Sequence, residues 1–406
     1  MSSTFVIIQI MIFRRVYLDY ASLTPIDRRV AGTMRQYSSS KYANPSAWYK
    51  EGVRAKQAMD KARRNIADFI HAHSDEIVFT SGGTEANNMA LIGVANKAKS
   101  LGIKKPHIIV SVIEHSSILN TVNLLEKQGC EITIIPVNKS GIIDLLELKK
   151  AIKENTCLIS IMLVNNEIGT IQPIHEVAKI LRNLKKTIIS HSSRDSNHYL
   201  FPLLHTDACQ GALYQEINVE KLGVDMMTLD GSKVYGPRGI GCLYMKRNTF
   251  IEPIIHGGGQ EYGMRSGTEN IPMIMGFAKA LQIVKLEQKT EITRINQLRE
   301  LFIDGLKAIK SDIKVNPYQV SSDSISPHIL NVSIPGIDNE FFVLQLDAKG
   351  IACSTKSSCL RDEDQSYVLN AIQCDSKTSI RFSFGRWTKK RHIRKTICVI
   401  RKLLLR

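Results

Sequence analysis

The stretch E-I-V-F-T-S-G-G-T-E-A-N-N-M-A-L-I-G-V-A-N-K-A, residues 76–98, decides the fold. Glu76 to Phe79 has the pattern of a short buried strand, and Thr84 to Ala98 has the spacing of a helix. The glycine pair Gly82-Gly83 lies between them. A strand that leads through a tight turn into a helix is the building unit of an α/β protein.

The same alternation continues on both sides of this stretch, from residue 50 to about residue 250. It predicts a mostly parallel sheet covered by helices. A polar segment, residues 190–205, interrupts the alternation and is interpreted as a surface insertion. The helix before the opening strand is expected at Ala55 to Phe69. Further strands are expected at His107 to Val112, Glu131 to Pro136, Cys157 to Val164, Thr187 to Ile189 and Met226 to Leu229.

The pattern changes near residue 275 and predicts a second, smaller α/β domain. We expect a large domain at 16–273 and a small domain at 274–406, packed with the N-terminal segment 1–30. The small domain is predicted to contain helices at Ile274 to Ile309, Glu340 to Lys349 and Ile393 to Leu405, and strands at Ile329 to Ile334 and Ser379 to Ser383. The apolar run Phe5 to Phe13 is either an extra strand or the trace of an upstream start, since translation beginning at Met11 is an alternative to Met1.

Charge and cysteine content narrow the possible environments of the protein. The 406 residues include 54 Lys and Arg against 38 Asp and Glu, a formal net charge of +16, which favours acidic or phosphorylated partners. No motif for binding nucleic acid accompanies this charge, so direct nucleic-acid binding is not expected. The eight cysteines form no C-x-x-C pair, which indicates reduced thiols in a cytoplasm, with neither disulfides nor a metal site. The run at residues 5–13 is too short to span a membrane.

Two segments together indicate pyridoxal-phosphate (PLP) chemistry. D-G-S-K-V-Y-G-P at 230–237 places Lys233 in a turn, and H-T-D-A-C-Q at 205–210 contains Asp207. PLP needs a lysine for its aldehyde and a carboxylate opposite its pyridine nitrogen. Taken singly, Lys233 is as well explained by a surface turn and Asp207 by a helix cap.

Three strand ends add candidate ligands. Gly83 and Thr84 open a helix, whose N-terminal amides favour a phosphate. His115 follows an apolar strand and is placed to lie against a pyridine ring, although a lone histidine is often structural. Asn166 follows another strand and is a candidate donor to a substrate carboxylate or ring oxygen, although asparagine is also common in turns.

These segments, with several others, resemble the cysteine desulfurases of the NifS/IscS type. The matching residues run in order from about residue 16 to residue 390. They are Asp19-Tyr20, Thr24-Pro25, Asn44-Pro45-Ser46, S-G-G-T-E, E-H-S-S, V-N-N-E-I-G, T-D-A-C-Q, S-K-V-Y-G-P-R-G, H-G-G-G-Q-E, M-R-S-G-T-E-N and S-I-R-F-S-F-G-R. The resemblance implies a PLP-dependent transferase of fold type I, the fold of aspartate aminotransferase, with a mostly parallel seven-stranded sheet in its large domain. It also implies that the protein works as a homodimer and converts L-cysteine to L-alanine.

The resemblance also implies roles for individual residues. Lys233 would bind PLP and act as general base, His115 would stack on the ring, and Asp207 and Gln210 would bind the ring nitrogen and oxygen. The phosphate site would include Gly83, Thr84, Asp230 and Ser232 of the same chain, together with Thr268 of the partner subunit. Arg381 would bind the substrate carboxylate, a task suited to a guanidinium group.

The resemblance places the sulfur-accepting cysteine at Cys359, in the polar segment 352–367. Its thiolate would take the substrate sulfur as a persulfide, and the same thiol would be a transient ligand for an iron–sulfur cluster. Lys356 and Arg361 are expected to favour the thiolate. Cys353 is expected to pack beside a strand.

Several positions depart from the family pattern. Asp230 replaces the usual serine and Ser232 the usual histidine of Ser-Gly-His-Lys, so the phosphate site is expected to be arranged differently. Lys356 replaces a glycine in the cysteine segment. Ala47 and Tyr49 stand where a serine and a histidine are common.

Other functions remain open from the sequence alone. A selenocysteine lyase or a class V aminotransferase would use the same fold without a loop thiol. A basic sulfur-carrier or RNA-binding scaffold would need no PLP. For the main hypothesis, the expected acceptor is an iron–sulfur scaffold protein or a tRNA-thiolation enzyme.

Overall fold

The computed structural model describes residues 15–191, 201–318, 320–356 and 365–405, with the side chains of 187–191 excepted. The run Phe5 to Phe13 therefore lies outside the described residues, as does the choice between Met1 and Met11. So does Cys359.

The strands of the described chain form one large sheet and two small ones. Those of the large sheet are β2 (Ile77–Thr80), β3 (His107–Ser111), β4 (Glu131–Ile135), β5 (Thr156–Ser160), β6 (Leu203–Asp207), β7 (Met226–Asp230) and β8 (Gly241–Met245). The others are β1 (Val16–Tyr17), β9 (Lys314–Asn316), β10 (Ile329–Ser333), β11 (Ile351–Ala352) and β12 (Ser379–Ser383).

The helices of the described residues lie between and around these strands. They are α1 (Arg28–Ser39), α2 (Lys50–Ile70), α3 (Gly83–Ser100), α4 (Ser116–Lys127), α5 (Leu145–Ala151), α6 (Ile174–His191), α7 (Val219–Leu222), α8 (Ile271–Lys307), α9 (Asn339–Ala348), α10 (Tyr367–Ala371) and α11 (Lys390–Leu404).

The large sheet has the order β2-β8-β7-β6-β5-β3-β4 among the described residues. Its strands are parallel except for β8, which runs antiparallel to both β7 and β2. Every residue of β3, β5 and β6 is buried, because helices cover both faces of the sheet. The predicted α/β fold with a mostly parallel seven-stranded sheet is confirmed.

The C-terminal part has its own sheet, in which β10 pairs antiparallel with β9 and β12. The N-terminal β1 pairs in parallel with β11, so the N-terminal segment lies against the C-terminal part of the chain. Helix α8, 37 residues long, runs across the predicted domain boundary. The division at residues 273 and 274 itself stays a prediction.

One prediction around residues 187–205 was wrong, and the bounds of another were too wide. Thr187 to Ile189 is part of α6, because the helical spacing that begins at Ile174 outweighs a β-branched run of three residues. The supposed insertion also includes the last residues of α6 and the start of β6, while residues 192–200 lie outside the described chain. β6 and β8 were absent from the predicted strands.

In the part of the chain that the structure describes, none of the helices combines the length and apolar character needed to cross a membrane.

Candidate active site

A cavity of about 210 Å³ lies at the carboxyl ends of the central strands, where ligands bind in open α/β sheets. β6 ends at Asp207 and β7 at Asp230, and the turns after β2, β3 and β5 complete the wall. Of the residues predicted from the sequence, those that line it are Gly83, Thr84, His115, Asn166, Asp207, Gln210, Asp230, Ser232, Lys233 and Arg381.

Lys233 projects into the cavity from a single 3-10 turn, Gly231–Lys233, which directly follows β7. Its Nζ donates hydrogen bonds to the backbone carbonyls of Ser22, at 2.6 Å, and Ala21, at 3.2 Å. These carbonyls belong to the N-terminal segment. They hold the Lys233 amine at the cavity wall. Among the described residues, no carboxylate accepts a hydrogen bond from this amine.

Asp207 is held by a donor that sequence reasoning missed. Asn87 Nδ2 donates to Asp207 Oδ2 at 2.7 Å and to Ser117 Oγ at 2.8 Å. The other carboxylate oxygen accepts from the backbone amide of Cys209 at 3.0 Å. Asn87 lies four residues after Gly83 on α3, and this one-turn spacing was the available signal.

His115 is the N-cap residue of α4. Its Nδ1 accepts a hydrogen bond from the backbone amide of Ser117 at 3.2 Å and lies 2.9 Å from Ser117 Oγ. Because Nδ1 is an acceptor here, the proton of the neutral ring is assigned to Nε2. The ring is thereby fixed at the cavity wall.

Glu114, also missed from the sequence, is completely buried beside His115. Its carboxyl group lies 2.5 Å from Ser111 Oγ and accepts from the Met162 amide at 3.0 Å. Burial, reinforced by the charge of Asp207, raises the pKa of Glu114 to about 8. The acid is therefore mainly neutral at pH 7.

Gln210 lines the cavity but uses part of its amide elsewhere. Its Nε2 donates to the Ala21 carbonyl at 2.8 Å, and its Oε1 lies 3.3 Å from Nε2 of the buried His328. Burial lowers the pKa of His328 to about 3, so this ring is neutral. The predicted bond from Gln210 to a ring oxygen stays a prediction.

Arg381 reaches the cavity from the centre of β12, in the C-terminal sheet, and is 1% exposed. Its terminal nitrogens donate to the Asn166 carbonyl at 2.8 Å, Asp19 Oδ1 at 2.9 Å and Ser22 Oγ at 2.7 Å. Within the described residues its buried Nε has no hydrogen-bond partner. A buried donor without a partner at a cavity wall suits an anionic group of a ligand.

The predicted phosphate site is occupied by a carboxylate of the protein itself. Asp230 Oδ2 accepts from the Gly83 amide at 2.8 Å, and Oδ1 accepts from the amide and hydroxyl of Ser232 at 2.7 and 2.5 Å. A Cβ on Gly83 would lie 2.9 Å from Cys209 Sγ, so only glycine allows the backbone this close. The expected difference from the family pattern is therefore that the Asp230 carboxylate itself is bonded to the Gly83 amide and to Ser232.

Thr268 does not line this cavity in its own chain. It is exposed and lies in a separate cavity of about 280 Å³, beside Ser81, Glu261 and Arg265. Its contribution to the phosphate site of a second copy stays a prediction.

Half of the cysteine segment, residues 357–364, lies outside the described residues, Cys359 and Arg361 included. Lys356, at its near end, is 7% exposed, and its Nζ lies 3.5 Å from Glu340 Oε1. Part of its charge is thus already neutralised by an acid. Cys353 directly follows β11, where burial raises its pKa.

The residues present fit PLP at its ring and aldehyde. A lysine amine, an oriented aspartate and a fixed imidazole line one cavity, and a guanidinium donor is available for an amino-acid carboxylate. The phosphate end fits only if the Gly83 amide and the Ser232 amide and hydroxyl are released from the Asp230 carboxylate.

Known proteins resemble the chain over almost its full length. The family model described as aminotransferase class-V matches residues 16–395. The cysteine desulfurase IscS of Dictyoglomus turgidum is 40% identical over 395 residues, which cover 96% of this chain and 95% of that protein.

Solved structures give the same picture. A structure described as a NifS-like protein has a TM-score of 0.86 and 32% identity, and the match covers 96% of this chain and 99% of that chain. A structure of SspA in complex with cysteine has a TM-score of 0.76 and 33% identity, covering 91% and 98%.

Proposed function

We propose that this chain, which belongs to the aminotransferase class-V family, is a PLP-dependent cysteine desulfurase. It converts L-cysteine to L-alanine and retains the sulfur as a persulfide on Cys359. The observation that carries this proposal is the meeting of Lys233, Asp207 and Arg381 in one cavity, although they come from three different parts of the chain.

PLP, when bound, supplies an electron sink that labilises the bonds at the substrate Cα. Asp207, fixed by Asn87 and the Cys209 amide, would hold the proton of the ring nitrogen. His115 would lie against the ring. These residues would orient the ring before the substrate arrives.

Arg381 binds the carboxylate of L-cysteine. Its guanidinium group lines the cavity, and its terminal nitrogens are bonded to Asp19, Ser22 and the Asn166 carbonyl in the structure described. Lys233 Nζ, held by two carbonyl groups, moves the α-proton of the substrate as general base and acid. Arg381 therefore sets which end of the amino acid meets Lys233.

Six of the seven cysteines that the structure describes are poor nucleophiles. Burial raises the pKa of Cys130, Cys157, Cys209, Cys242, Cys353 and Cys374. The seventh, Cys398, is exposed on α11 and does not line the cavity. This distribution supports Cys359 as the sulfur acceptor.

In the transfer step, Cys359 Sγ forms a bond to the substrate sulfur as the substrate Cβ–S bond breaks. The electron pair of that bond stays on Cβ, which takes up a proton to become the methyl group of alanine. The persulfide is then the sulfur donor to an acceptor.

We also propose a homodimer in which Thr268 of the partner subunit completes the phosphate site. The acceptor is an iron–sulfur scaffold protein or a tRNA-thiolation enzyme, recognised through the basic surface implied by the net charge of +16. Reduced, unpaired cysteines in the described chain are in keeping with a cytoplasmic location.

The test is the reaction of the purified protein with L-cysteine and PLP in the presence of a reductant. The proposal requires sulfide and alanine in equal amounts from the wild type and neither from Lys233→Ala. A Cys359→Ser variant that kept full turnover with its amino-acid substrate would instead favour a selenocysteine lyase or a class V aminotransferase, since neither needs a loop thiol.

A further inference from the structure

The Asp230 carboxylate holds donors that a phosphate group would need. Its two oxygens accept from the Gly83 amide, the Ser232 amide and the Ser232 hydroxyl, at 2.5 to 2.8 Å. Gly83 is the first residue of α3, so one oxygen lies at the positive end of that helix. The other lies in the turn that bears Lys233.

This arrangement leaves little room for a second anion. An added Cβ at Gly82 or at Gly83 would lie 3.3 Å from Asp230 Oδ2, so the carboxylate is packed directly against the glycine pair. Asp230 is the last residue of β7, and its short side chain cannot withdraw far while the strand is in place. A phosphate must therefore displace the carboxylate or lie beside it.

Charge increases the cost of both outcomes. Two anions within a few ångströms repel strongly in a half-buried site, and the three donors cannot serve both fully. A serine at position 230, which the family usually has, would add a hydroxyl donor and no charge. Replacing that serine with aspartate changes a phosphate ligand into a competitor of the phosphate.

We propose that Asp230 acts as an internal anion that competes with the cofactor phosphate, so that this site favours PLP over phosphate-free pyridoxal much less than a serine-containing site would. The inference rests on the proposed function, because it takes PLP as the ligand of Lys233. It makes Asp230 a specificity-determining residue for the cofactor.

The experiment compares the affinities of PLP and pyridoxal for the cofactor-free full-length protein, measured by absorbance and by protein fluorescence. The wild type is compared with Asp230→Ser and Asp230→Asn, and Asp323→Ser, which removes an exposed carboxylate, is the matched control. We expect Asp230→Ser to bind PLP about tenfold or more tightly than the wild type, because three donors are released. Pyridoxal affinity should change by less than about twofold, since this ligand has no phosphate.

A merely structural role of Asp230 gives a different result. As a cap of the turn that bears Lys233, Asp230 would affect PLP and pyridoxal equally, and the ratio of the two affinities would stay at its wild-type value. Asp230→Asn keeps the shape of the side chain. A wild-type ratio of PLP to pyridoxal affinity in this variant would overturn the inference, even if Asp230→Ser failed to fold. If the proposed function itself is wrong, neither PLP nor pyridoxal would bind through Lys233 in the wild type or in any variant.

Inorganic phosphate supplies a second readout that is independent of the aldehyde. We expect phosphate to raise the thermal unfolding midpoint of Asp230→Ser and to leave that of the wild type unchanged. Equal stabilisation of both proteins would contradict competition at this site.

Discussion

Asn87 donates a hydrogen bond of 2.7 Å to Asp207 and so ties helix α3 to the end of strand β6. The same amide reaches Ser117, which in turn contacts His115. One asparagine therefore positions both residues that are assigned to the pyridine ring, without needing to touch the cofactor itself.

Removing this amide should weaken cofactor binding. We expect Asn87→Ala to lower PLP affinity by about tenfold to a hundredfold, the cost of losing a hydrogen bond to a buried charge. Asn88→Ala is the matched control, because the side-chain hydrogen bonds of Asn88 within the described residues go to Thr84 and Thr121. Equal PLP affinities of these two variants would show that Asp207 does not depend on Asn87.

Arg381 should be irreplaceable by lysine. Arg381→Lys removes the planar donor set, and we expect KM for L-cysteine to rise by about tenfold to a hundredfold with a smaller change in kcat. Arg247→Lys is the control, since Arg247 also makes a paired contact to an acid, Asp75, but at the surface. An unchanged KM in Arg381→Lys, measured by alanine formation, would remove Arg381 from the substrate site.

Glu114 should make the fold less stable as pH rises. Its pKa is about 8 in the folded protein and 4.5 ordinarily, so the folded state retains a proton that the unfolded state has lost between those values. The free energy of unfolding therefore falls from about pH 5 to about pH 8, by a few kcal/mol at most.

Glu114→Gln retains the acceptor for the Met162 amide and cannot ionise. We expect urea unfolding of this variant to lose most of that pH dependence, whereas Glu154→Gln, at an exposed position, should retain it. If Glu114→Gln and the wild type lose stability in parallel across this pH range, the buried acid is ionised in the folded protein.

The sequence predicted the chain-local features well. Strand-turn-helix segments such as residues 76–98 are determined by nearby residues, and the helical or β periodicity is strong there. Thr187 to Ile189 failed because three β-branched residues cannot show whether a preceding helix has ended. Strand β6 was not predicted because the polar segment assigned to residues 190–205 includes its first residues.

The candidate site was predictable wherever a residue follows a predicted strand, as Gly83, His115 and Asn166 do. Asn87 and Glu114 were missed because their roles depend on which side chains meet across elements. For Asn87, the one-turn spacing from Gly83 indicated its face of α3 but did not identify Asp207 as its partner. Asp230 was recognised as unusual, but its capture of the Gly83 amide required the packing of β7 against α3.

The central claim is that sulfur leaves L-cysteine at the Lys233 site and is retained on Cys359. The most direct measurement is mass spectrometry of the peptide containing Cys359 after a single turnover with L-cysteine and PLP. We predict one added sulfur atom on Cys359 in the wild type and in Cys398→Ser, and none in Lys233→Ala. An unmodified Cys359 alongside alanine formation, or alanine formed at the wild-type rate by Cys359→Ser, would contradict it.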